Sequence, residues 1–229
     1  AFYRVPPNVK FLVDDIESDW AYEGNPFDFI HARYLAAAIK DFRRLIRQCY
    51  QYVSRSPHLS RSSFPNVNRS LKPGGWVEFQ DWDGFPYSAD GSLKDTGLER
   101  YFNEVTGTFQ EVGYECRPGP KLEQWLKEAG FVNVHAEKFI IPHGVWPKDR
   151  HLVSFPLSQN SYKVLTQYLL IRAEELGAWF QAQIEAGFEA GALAALTRFK
   201  DWSKEEVMIL ASQARADGRN PKIHAMYNL

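Results

Sequence analysis

The order of hydrophobic and polar positions in the first half of the chain predicts alternating strands and helices. Short apolar runs at residues 8–13 and 27–31 indicate two strands. Between about residues 32 and 52, apolar side chains recur at three- and four-residue steps, as in an amphipathic helix. The turn-forming residues 71–75 (LKPGG) precede a third strand at 76–80. Strands and a helix joined by short turns predict a parallel sheet with a crossover helix.

The middle of the chain predicts another helix followed by a strand. Apolar positions between residues 120 and 129 fall on one helix face, and Gly130 is suited to a left-handed C-terminal cap. Residues 131–141 then have the pattern of a long strand, with a bulge near Glu137 that would restore its alternation.

The last third of the chain is largely helical in composition. Residues 168–199 contain three glycines, each of which weakens a helix, so we expect two or three short helices there. A capping box at residues 203–206, flanked by a hydrophobic staple, predicts a helix that runs to about Asp217. Residues 222–227 predict a final strand.

Composition limits the classes of partner. The chain has 229 residues, of which 45% are hydrophobic, so it can form one large domain with a substantial core. Its net charge of −1 provides no electrostatic excess for binding nucleic acid or anionic membranes. No apolar run reaches the roughly 20 residues that span a bilayer. We therefore expect no nucleic-acid partner and no membrane partner.

Cysteine and histidine usage argues against disulfides and metals. Cys49 and Cys116 are isolated in the sequence, which fits a reducing compartment rather than a disulfide framework. The six histidines include no pair at the short spacing that zinc sites favour. We expect no metal site and an intracellular protein, cytoplasmic or nuclear.

Three stretches, taken in order, resemble successive strand ends of one enzyme family. NVKFLVDDIESDW (8–20), FDFIHARYL (27–35) and LKPGGWVEFQDWD (71–83) are similar to class I S-adenosylmethionine-dependent methyltransferases, and most of all to the fungal LaeA-like group associated with secondary metabolism. DWSKEEV (201–207) and NPKIHAMY (220–227) resemble the tail of that group. The resemblance implies a Rossmann-like α/β sheet and methyl transfer from S-adenosylmethionine. It leaves the acceptor open among proteins, small metabolites and the chain itself.

The resemblance also implies a cofactor site beyond the carboxyl ends of the strands, where open α/β sheets bind their ligands. It assigns Asp15 to the adenine amino group, with the backbone of Ile16 nearby, because a carboxylate accepts hydrogen bonds from an exocyclic amine. Asp14 would brace the turn, and Trp20 would lie on the adenine side. Aspartates at strand ends are also ordinary turn residues, and Trp20 is equally suited to core packing.

His31 and Arg33 resemble residues that line the cofactor and the methyl-transfer region. As alternatives, His31 would be a hydrogen-bonded buried histidine, and Arg33 would pair with a nearby acid. Methyl transfer depends mainly on an in-line nucleophile positioned at roughly 3 to 3.5 Å from the methyl group. We therefore assign no catalytic general base.

Asp81 and Trp82 follow the third strand, where the resemblance places an acceptor-facing loop. Trp82 would stack on the acceptor, cover the cofactor or fill the core. The glycine-interrupted helices between residues 168 and 199 would form either a lid over the acceptor or an ordinary cover over the sheet.

The chain departs from the family pattern in two ways. No G-x-G-x-G loop is present, and neither are the first two strands of the family's sheet, so we interpret this as an N-terminally incomplete version of a longer protein. The predicted fold is one α/β domain: an incomplete Rossmann-like core (1–150), a helical C-terminal cover (151–217) and a return strand (218–229). Residues 53–70 and 153–167 are insertions that both begin Val-Ser, typical either of translated introns or of serine-rich surface loops.

Two other functions are compatible with parts of this pattern. A truncated or degenerate methyltransferase-like protein would bind partners without binding a cofactor. A nicotinamide-dependent reductase on a similar sheet is disfavoured, because the chain lacks both a dinucleotide glycine fingerprint and a Tyr-x-x-x-Lys arrangement.

Overall fold

A computed structural model describes residues 6, 8–20, 27–50, 71–147 and 173–229 of the chain. Four strands and five α-helices lie in these ranges. They are β1 (Phe27–Arg33), α1 (Phe42–Tyr50), β2 (Leu71–Gln80), α2 (Gly97–Glu111), α3 (Gly119–Ala129), β3 (Ile140–Pro142), α4 (Ala173–Ala192), α5 (Lys204–Gly218) and β4 (Met226–Asn228), with a π-helical turn at Leu193–Thr197. The strands form two two-stranded sheets, so the described chain is mixed α/β.

The first sheet is the parallel pair β1–β2, as the sequence predicted. His31 lies opposite Glu78, and Arg33 lies opposite Gln80. The predicted turn at residues 71–75 is wrong, because these residues belong to β2. The pairing is nonetheless irregular there: Phe27 is opposite Leu71, whereas Phe29 is opposite Trp76.

Helix α1 has the predicted apolar stripe but begins ten residues later than predicted. Tyr34 and Ala37 have left-handed backbone conformations, with φ of 55° and 61°, which a helix cannot contain. The chain therefore turns after β1 and enters the helix only at Phe42. Its buried face comprises Phe42, Leu45, Ile46, Gln48 and Cys49.

The first core lies between the β1–β2 sheet and helices α1 and α3. Its buried members are Trp20, Ile39, Phe42, Leu45, Ile46, Cys49, Leu122 and Trp125, with Ile30, Val77 and Phe79 of the sheet packed against them. The prediction of α3 and its cap is confirmed: the helix ends before Gly130, which has φ of 102° and donates its N–H to Leu126 and Lys127.

The second core joins α2, α4 and α5 to the antiparallel pair β3–β4. Its largest fully buried side chains include Leu98, Phe188, Leu196, Leu210 and Tyr227. Asp217 of α5 accepts hydrogen bonds from the backbone N–H groups of Gly97 (2.5 Å) and Leu98 at the start of α2. A carboxylate at a helix N-terminus satisfies otherwise unpaired donors there.

The prediction of several short helices between residues 168 and 199 is wrong, since α4 runs unbroken for 20 residues. Gly177 serves close packing rather than helix termination. A Cβ atom at Gly177 would lie 2.0 Å from the carbonyl oxygen of Gly144, and the Gly144 N–H donates to the Gly177 oxygen over 3.1 Å. Tertiary packing therefore outweighs the intrinsic helix cost of glycine. Residues 168–172 lie outside the described ranges.

Three strand predictions are wrong: one predicted strand does not form, and the other two are shorter than predicted. Residues 8–13 contain no strand, and the side chains of Phe11, Leu12 and Val13 are largely exposed, because no described strand lies beside them. Of the long strand predicted at residues 131–141, only β3 forms. The final strand is β4, which is shorter than the predicted 222–227.

The start of α5 is confirmed. The Ser203 hydroxyl accepts from the Glu206 N–H, and the Glu206 carboxylate accepts from the Ser203 N–H, which makes the predicted capping box. Residues 53–70 and 153–167 lie outside the described ranges. Among the described helices, none combines the length and apolar character that a membrane span requires.

Candidate functional site

The carboxyl ends of β1 and β2 meet at one edge of the parallel sheet. Tyr34, the first residue after β1, donates its backbone N–H to the carbonyl of Gln80, the last residue of β2, over 3.1 Å. Arg33 and Asp81 therefore leave the sheet side by side. In open α/β sheets this edge is where ligands bind.

Asp81 holds this edge together through backbone hydrogen bonds. Its side chain is buried, and its carboxylate accepts from the N–H groups of Leu35 (2.8 Å), Ala36 (3.2 Å) and Trp82 (3.0 Å). Burial raises the pKa of Asp81, and the three backbone donors partly oppose that rise. Asp81 thereby fixes the turn after β1 against the end of β2.

A second carboxylate, Asp83, is paired with an arginine that the sequence did not reveal. Arg117 donates to Asp83 from Nε to Oδ1 over 2.5 Å and from Nη2 to Oδ2 over 3.0 Å. This pairing raises the pKa of Arg117. The guanidinium also lies 5.7 Å from the ring centre of Phe85. Asp83 and Arg117 are 34 positions apart, so the spacing of residues in the sequence does not predict that they pair.

His31 and Arg33 point away from the first core. The Nδ1 atom of His31 lies 2.8 Å from a carboxylate oxygen of Glu78, and both side chains are exposed. Arg33 donates to the Tyr34 hydroxyl over 3.0 Å, and its guanidinium lies 4.5 Å from the centre of that ring. His31 is therefore an exposed, paired histidine rather than a buried one.

Asp14 and Asp15 form an exposed turn. Asp14 accepts from the Asp15 N–H over 2.9 Å. Asp15 accepts from the Glu17 N–H over 3.0 Å and from the Ser18 hydroxyl over 2.9 Å. These bonds lower the pKa of Asp15, which keeps the carboxylate charged.

Ile16 and Trp20 join this turn to α1 through a buried amide. The Ile16 carbonyl accepts from Trp20 Nε1 over 3.0 Å and from Gln48 Nε2 over 3.1 Å. Gln48 also accepts from the Trp20 N–H over 3.2 Å. Trp20 packs in the first core, which matches its core interpretation. The sequence contained a signal for the buried role of Gln48, because it is a polar residue within the apolar stripe of α1.

Trp82 is a partly buried member of the second core. Its ring stacks on Tyr227 with centroids 5.9 Å apart, and it meets Phe102 and Phe180 edge to face. These contacts agree with the interpretation of Trp82 as a core residue.

A cavity of about 950 Å³ lies beside β2. Arg33 and Asp81 line it. The other six residues assigned to the site from the sequence, namely Asp14, Asp15, Ile16, Trp20, His31 and Trp82, do not. The cavity is also lined by residues 77–81, by residues 134–139, by parts of α3 and α4, and by Asn228 and Leu229. In the described part of the chain, no group of three or more His, Cys, Asp or Glu side chains is placed to hold a metal ion.

Comparison with known proteins gives one family and a set of fungal relatives. A family model described as "Methyltransferase domain" matches residues 4–136. Methyltransferase pytC of Aspergillus terreus is 34% identical over 97% of this chain and 57% of its own length. Methyltransferase cpsF of Aspergillus campestris is 27% identical over 96% of this chain and 64% of its own length. Secondary metabolism regulator LAE1 of Cochliobolus heterostrophus is 26% identical over 99% and 62%.

The chain thus spans about 57% of the length of pytC. No solved structure gives a significant match.

Proposed function

Because the chain belongs to the methyltransferase-domain family, we propose that it transfers a methyl group from S-adenosylmethionine to an acceptor linked to fungal secondary metabolism. The observation that carries this proposal is the parallel β1–β2 pair, whose carboxyl ends meet at Arg33 and Asp81. The names of pytC and LAE1 support the link to methyl transfer and to secondary metabolism. The acceptor is either a protein or a small metabolite.

The proposal includes a Rossmann-like class I sheet that lacks its first two strands and its glycine-rich loop. Three features support this. β1 and β2 are parallel, their inner face packs on α1 and α3, and β1 pairs only with β2 in the described ranges. The apolar residues 11–13 are largely exposed, as expected for a segment whose neighbouring strand is missing.

S-adenosylmethionine would bind between the turn at residues 14–16 and the end of β1. Asp15 is exposed, and although each of its oxygens already accepts one hydrogen bond, a carboxylate oxygen has a further lone pair for the adenine amino group. Asp14 and Ile16 hold the turn, and Trp20 anchors it to α1. His31 and Arg33 would then face the methyl-transfer region from the neighbouring strand.

The chemistry that the cofactor supplies is a methyl group on a positively charged sulfur. Held between Asp15 and the end of β1, the cofactor would supply this methyl group to a nucleophilic atom of the acceptor, whose proton would pass to solvent. Positioning of the two reactants contributes roughly 7 to 11 kcal/mol to such steps. Asp81 and Trp82 would serve the acceptor side by fixing the loop after β2.

One observation favours a second candidate, a methyltransferase-like protein that binds no cofactor. The turn that bears Asp14 and Asp15 does not line the cavity that Arg33 and Asp81 share. Of the six residues assigned to the cofactor, Arg33 lines this cavity, and Asp14, Asp15, Ile16, Trp20 and His31 do not.

Isothermal titration of the chain with S-adenosylmethionine, and separately with its demethylated product, distinguishes the two candidates. We expect micromolar binding of both compounds. Asp15→Ala should weaken it about tenfold, as expected when a hydrogen bond to a charged group is lost. Asp19→Ala is the matched control, because Asp19 is an exposed carboxylate four positions further along the chain, and its ion pair with Arg44 lies on the surface.

Absence of heat at millimolar cofactor, with a chain that is folded by circular dichroism, would support the non-catalytic candidate. Equal weakening by Asp15→Ala and Asp19→Ala would contradict the role of Asp15 while leaving methyl transfer in place.

A further inference from the structure

Three segments of the chain meet beyond the carboxyl end of β2. Residues 83–87, which follow β2, run antiparallel to β4: the Asp83 N–H donates to the Asn228 carbonyl over 3.0 Å, and Tyr87 pairs with Met226. β3 is also antiparallel to β4. The residues that follow Tyr87, those that follow β3 and those that precede β4 therefore come together at one end of these strands.

A histidine, an aspartate and a tryptophan meet there, one from each segment. The Nδ1 atom of His224 lies 2.6 Å from Oδ2 of Asp90. The ring of Trp146 lies against the imidazole, with ring centres 4.6 Å apart and planes inclined by 31°. The backbone N–H of His224 donates to the Ser92 hydroxyl over 2.8 Å. The imidazole is thus held through its backbone, one edge and one face.

Asp90 fixes which nitrogen of His224 carries the hydrogen. Hydrogen bonds from Ser92, followed by that from His224, lower the pKa of Asp90 to about 2, so its carboxylate is charged and only accepts. Nδ1 therefore donates, and Nε2 of the neutral ring has the free lone pair. Among the described residues, none is hydrogen-bonded to Nε2, and Asp90 is the charged side chain that contacts the ring. The His224 side chain is 38% exposed, so this lone pair is accessible.

His224 lies near the acceptor side of the proposed methyl-transfer site. It precedes Tyr227 by three residues, which span at most about 11 Å. The Tyr227 ring stacks on that of Trp82 with centroids 5.9 Å apart, and Trp82 directly follows Asp81 at the end of β2. The imidazole and the loop assigned to the acceptor therefore lie at the same end of the strands.

The other described histidines lack part of this arrangement. His31 is paired with Glu78, but the proposed function assigns it to the cofactor. His143 is 2% exposed, which leaves no path for a ligand. His135 is exposed and has no acidic partner among the described residues. Of the histidines described, His224 alone combines a charged partner, a fixed tautomer and an accessible lone pair on the acceptor side.

We propose that His224 is the general base of the methyl transfer and that the acceptor is a phenol or an enol. This inference rests on the proposed function. In the step, the acceptor O–H bond breaks and the proton bonds to Nε2. The oxygen keeps the electron pair and bonds to the methyl carbon, whose former bonding pair stays on sulfur. Asp90 stabilises the imidazolium, which returns the proton to solvent.

Acidity determines the class of acceptor. A general base is most effective on a proton donor whose pKa is near that of the base. A phenol, with a pKa of about 10, is within a few units of an ordinary imidazole at roughly 6.5. An aliphatic hydroxyl is nearly as weak an acid as water, whose pKa is about 15.7. The pair of Asp90 and His224 therefore favours a phenolic or enolic oxygen.

Titration with 4-nitrophenol tests the base without methyl transfer. The pKa of this probe is close to that of an imidazole, and its phenolate is yellow whereas its neutral form is colourless. The chain is first saturated with the demethylated cofactor, so no methyl donor is present. At one pH unit below the pKa of the probe, we expect about half of the bound probe to be ionised, roughly five times the fraction in free solution.

Three variants identify the base. His224→Asn retains an amide N–H that can donate to Asp90 but has no Nε2, so the ionised fraction should fall to that of the free probe. Asp90→Asn removes the charge that stabilises the imidazolium and should lower the ionised fraction as well. His135→Asn is the matched control, because His135 is an exposed histidine outside this cluster, and it should leave the fraction unchanged.

Methyl transfer to two matched acceptors separates a base from a structural residue. His224→Asn should lower kcat for 2-naphthol about a hundredfold at similar KM, because general base catalysis contributes at least about that factor. It should change kcat for 2-naphthalenethiol by less than about threefold, because a thiol ionises readily without a base.

Four results would overturn the proposal: no ionisation of 4-nitrophenol by the wild-type chain, equal ionisation by the wild type and His224→Asn, an equal loss of kcat for the naphthol and the thiol in that variant, or no methyl transfer to the naphthol by a chain that binds the demethylated cofactor. The titration can be repeated without cofactor. A chain that ionises the probe through His224 but binds no cofactor in isothermal titration would refute methyl transfer and leave the base assignment intact.

Discussion

Replacing Asp81 by alanine tests the link between the ends of β1 and β2. Asp81 is 4% exposed, and its carboxylate accepts from the N–H groups of Leu35, Ala36 and Trp82. Alanine leaves all three donors without this acceptor. At roughly 0.5–1.5 kcal/mol for each net hydrogen bond, the free energy of unfolding should fall by about 2–4 kcal/mol.

Asp81→Asn is the matched control. Burial raises the pKa of Asp81, because removing the carboxylate from water disfavours its charged form. An asparagine keeps an oxygen acceptor and removes the charge. Two of the three hydrogen bonds can therefore persist while the desolvation cost falls, but the amide NH2 group cannot accept the third. The loss should be about 1 kcal/mol, smaller than that of the alanine variant.

Urea unfolding followed by circular dichroism measures both variants. The alanine variant should lower the urea midpoint with little change in the slope, because the same surface is exposed on unfolding. A wild-type midpoint for Asp81→Ala, or an equal loss for the alanine and asparagine variants, would refute the proposed role of the three hydrogen bonds.

Three further predictions concern stability. Burial lowers the pKa of His143 to about 4. Between that pH and the ordinary histidine pKa of roughly 6.5, the unfolded chain binds a proton that the folded chain does not, so the free energy of unfolding should fall by about 3 kcal/mol as the pH drops through this range. In urea unfolding measured at several pH values, His143→Gln should show a weaker dependence on pH. Ser203→Ala removes the capping box with Glu206 and should cost about 1 kcal/mol by the same assay. Gly130→Ala places a Cβ 2.7 Å from the Tyr50 ring at a φ of 102°, so its melting temperature should fall, whereas an unchanged value would contradict the need for glycine.

Local signals in the sequence were sufficient for the elements that depend on local chemistry. Apolar runs located β1 and β2, the Ser203–Glu206 pair located the start of α5, and Gly130 located the end of α3. Each of these features involves residues that are neighbours in the chain, so the physical cause lies within the pattern itself.

Elements that depend on distant contacts were missed or wrong. Gly177 predicted a helix break, whereas its contact with Gly144, 33 positions earlier, keeps the helix whole. The strand pattern at residues 131–138 has no partner strand among the described residues, and a strand without a partner does not form. The intrinsic helix or strand propensity of a segment does not show whether a distant segment packs against it or pairs with it.

The candidate site shows the same division. Arg33 and Asp81 could be placed near one another because the carboxyl ends of parallel strands share one edge of a sheet. The Asp83–Arg117 pair could not be predicted, since no spacing rule joins a loop after β2 to a residue just before α3. The assignment of Asp15 and His31 to the cofactor stays a prediction.

Ultraviolet cross-linking of radiolabelled S-adenosylmethionine to the chain, followed by peptide mapping, tests the placement of the methyl donor most directly. Label should be recovered in peptides that contain residues 14–20 or 31–33, and excess demethylated product should suppress it. Label confined to residues 134–139, or no label above that of a denatured control, would contradict a methyl-donor site at the carboxyl ends of the parallel strands.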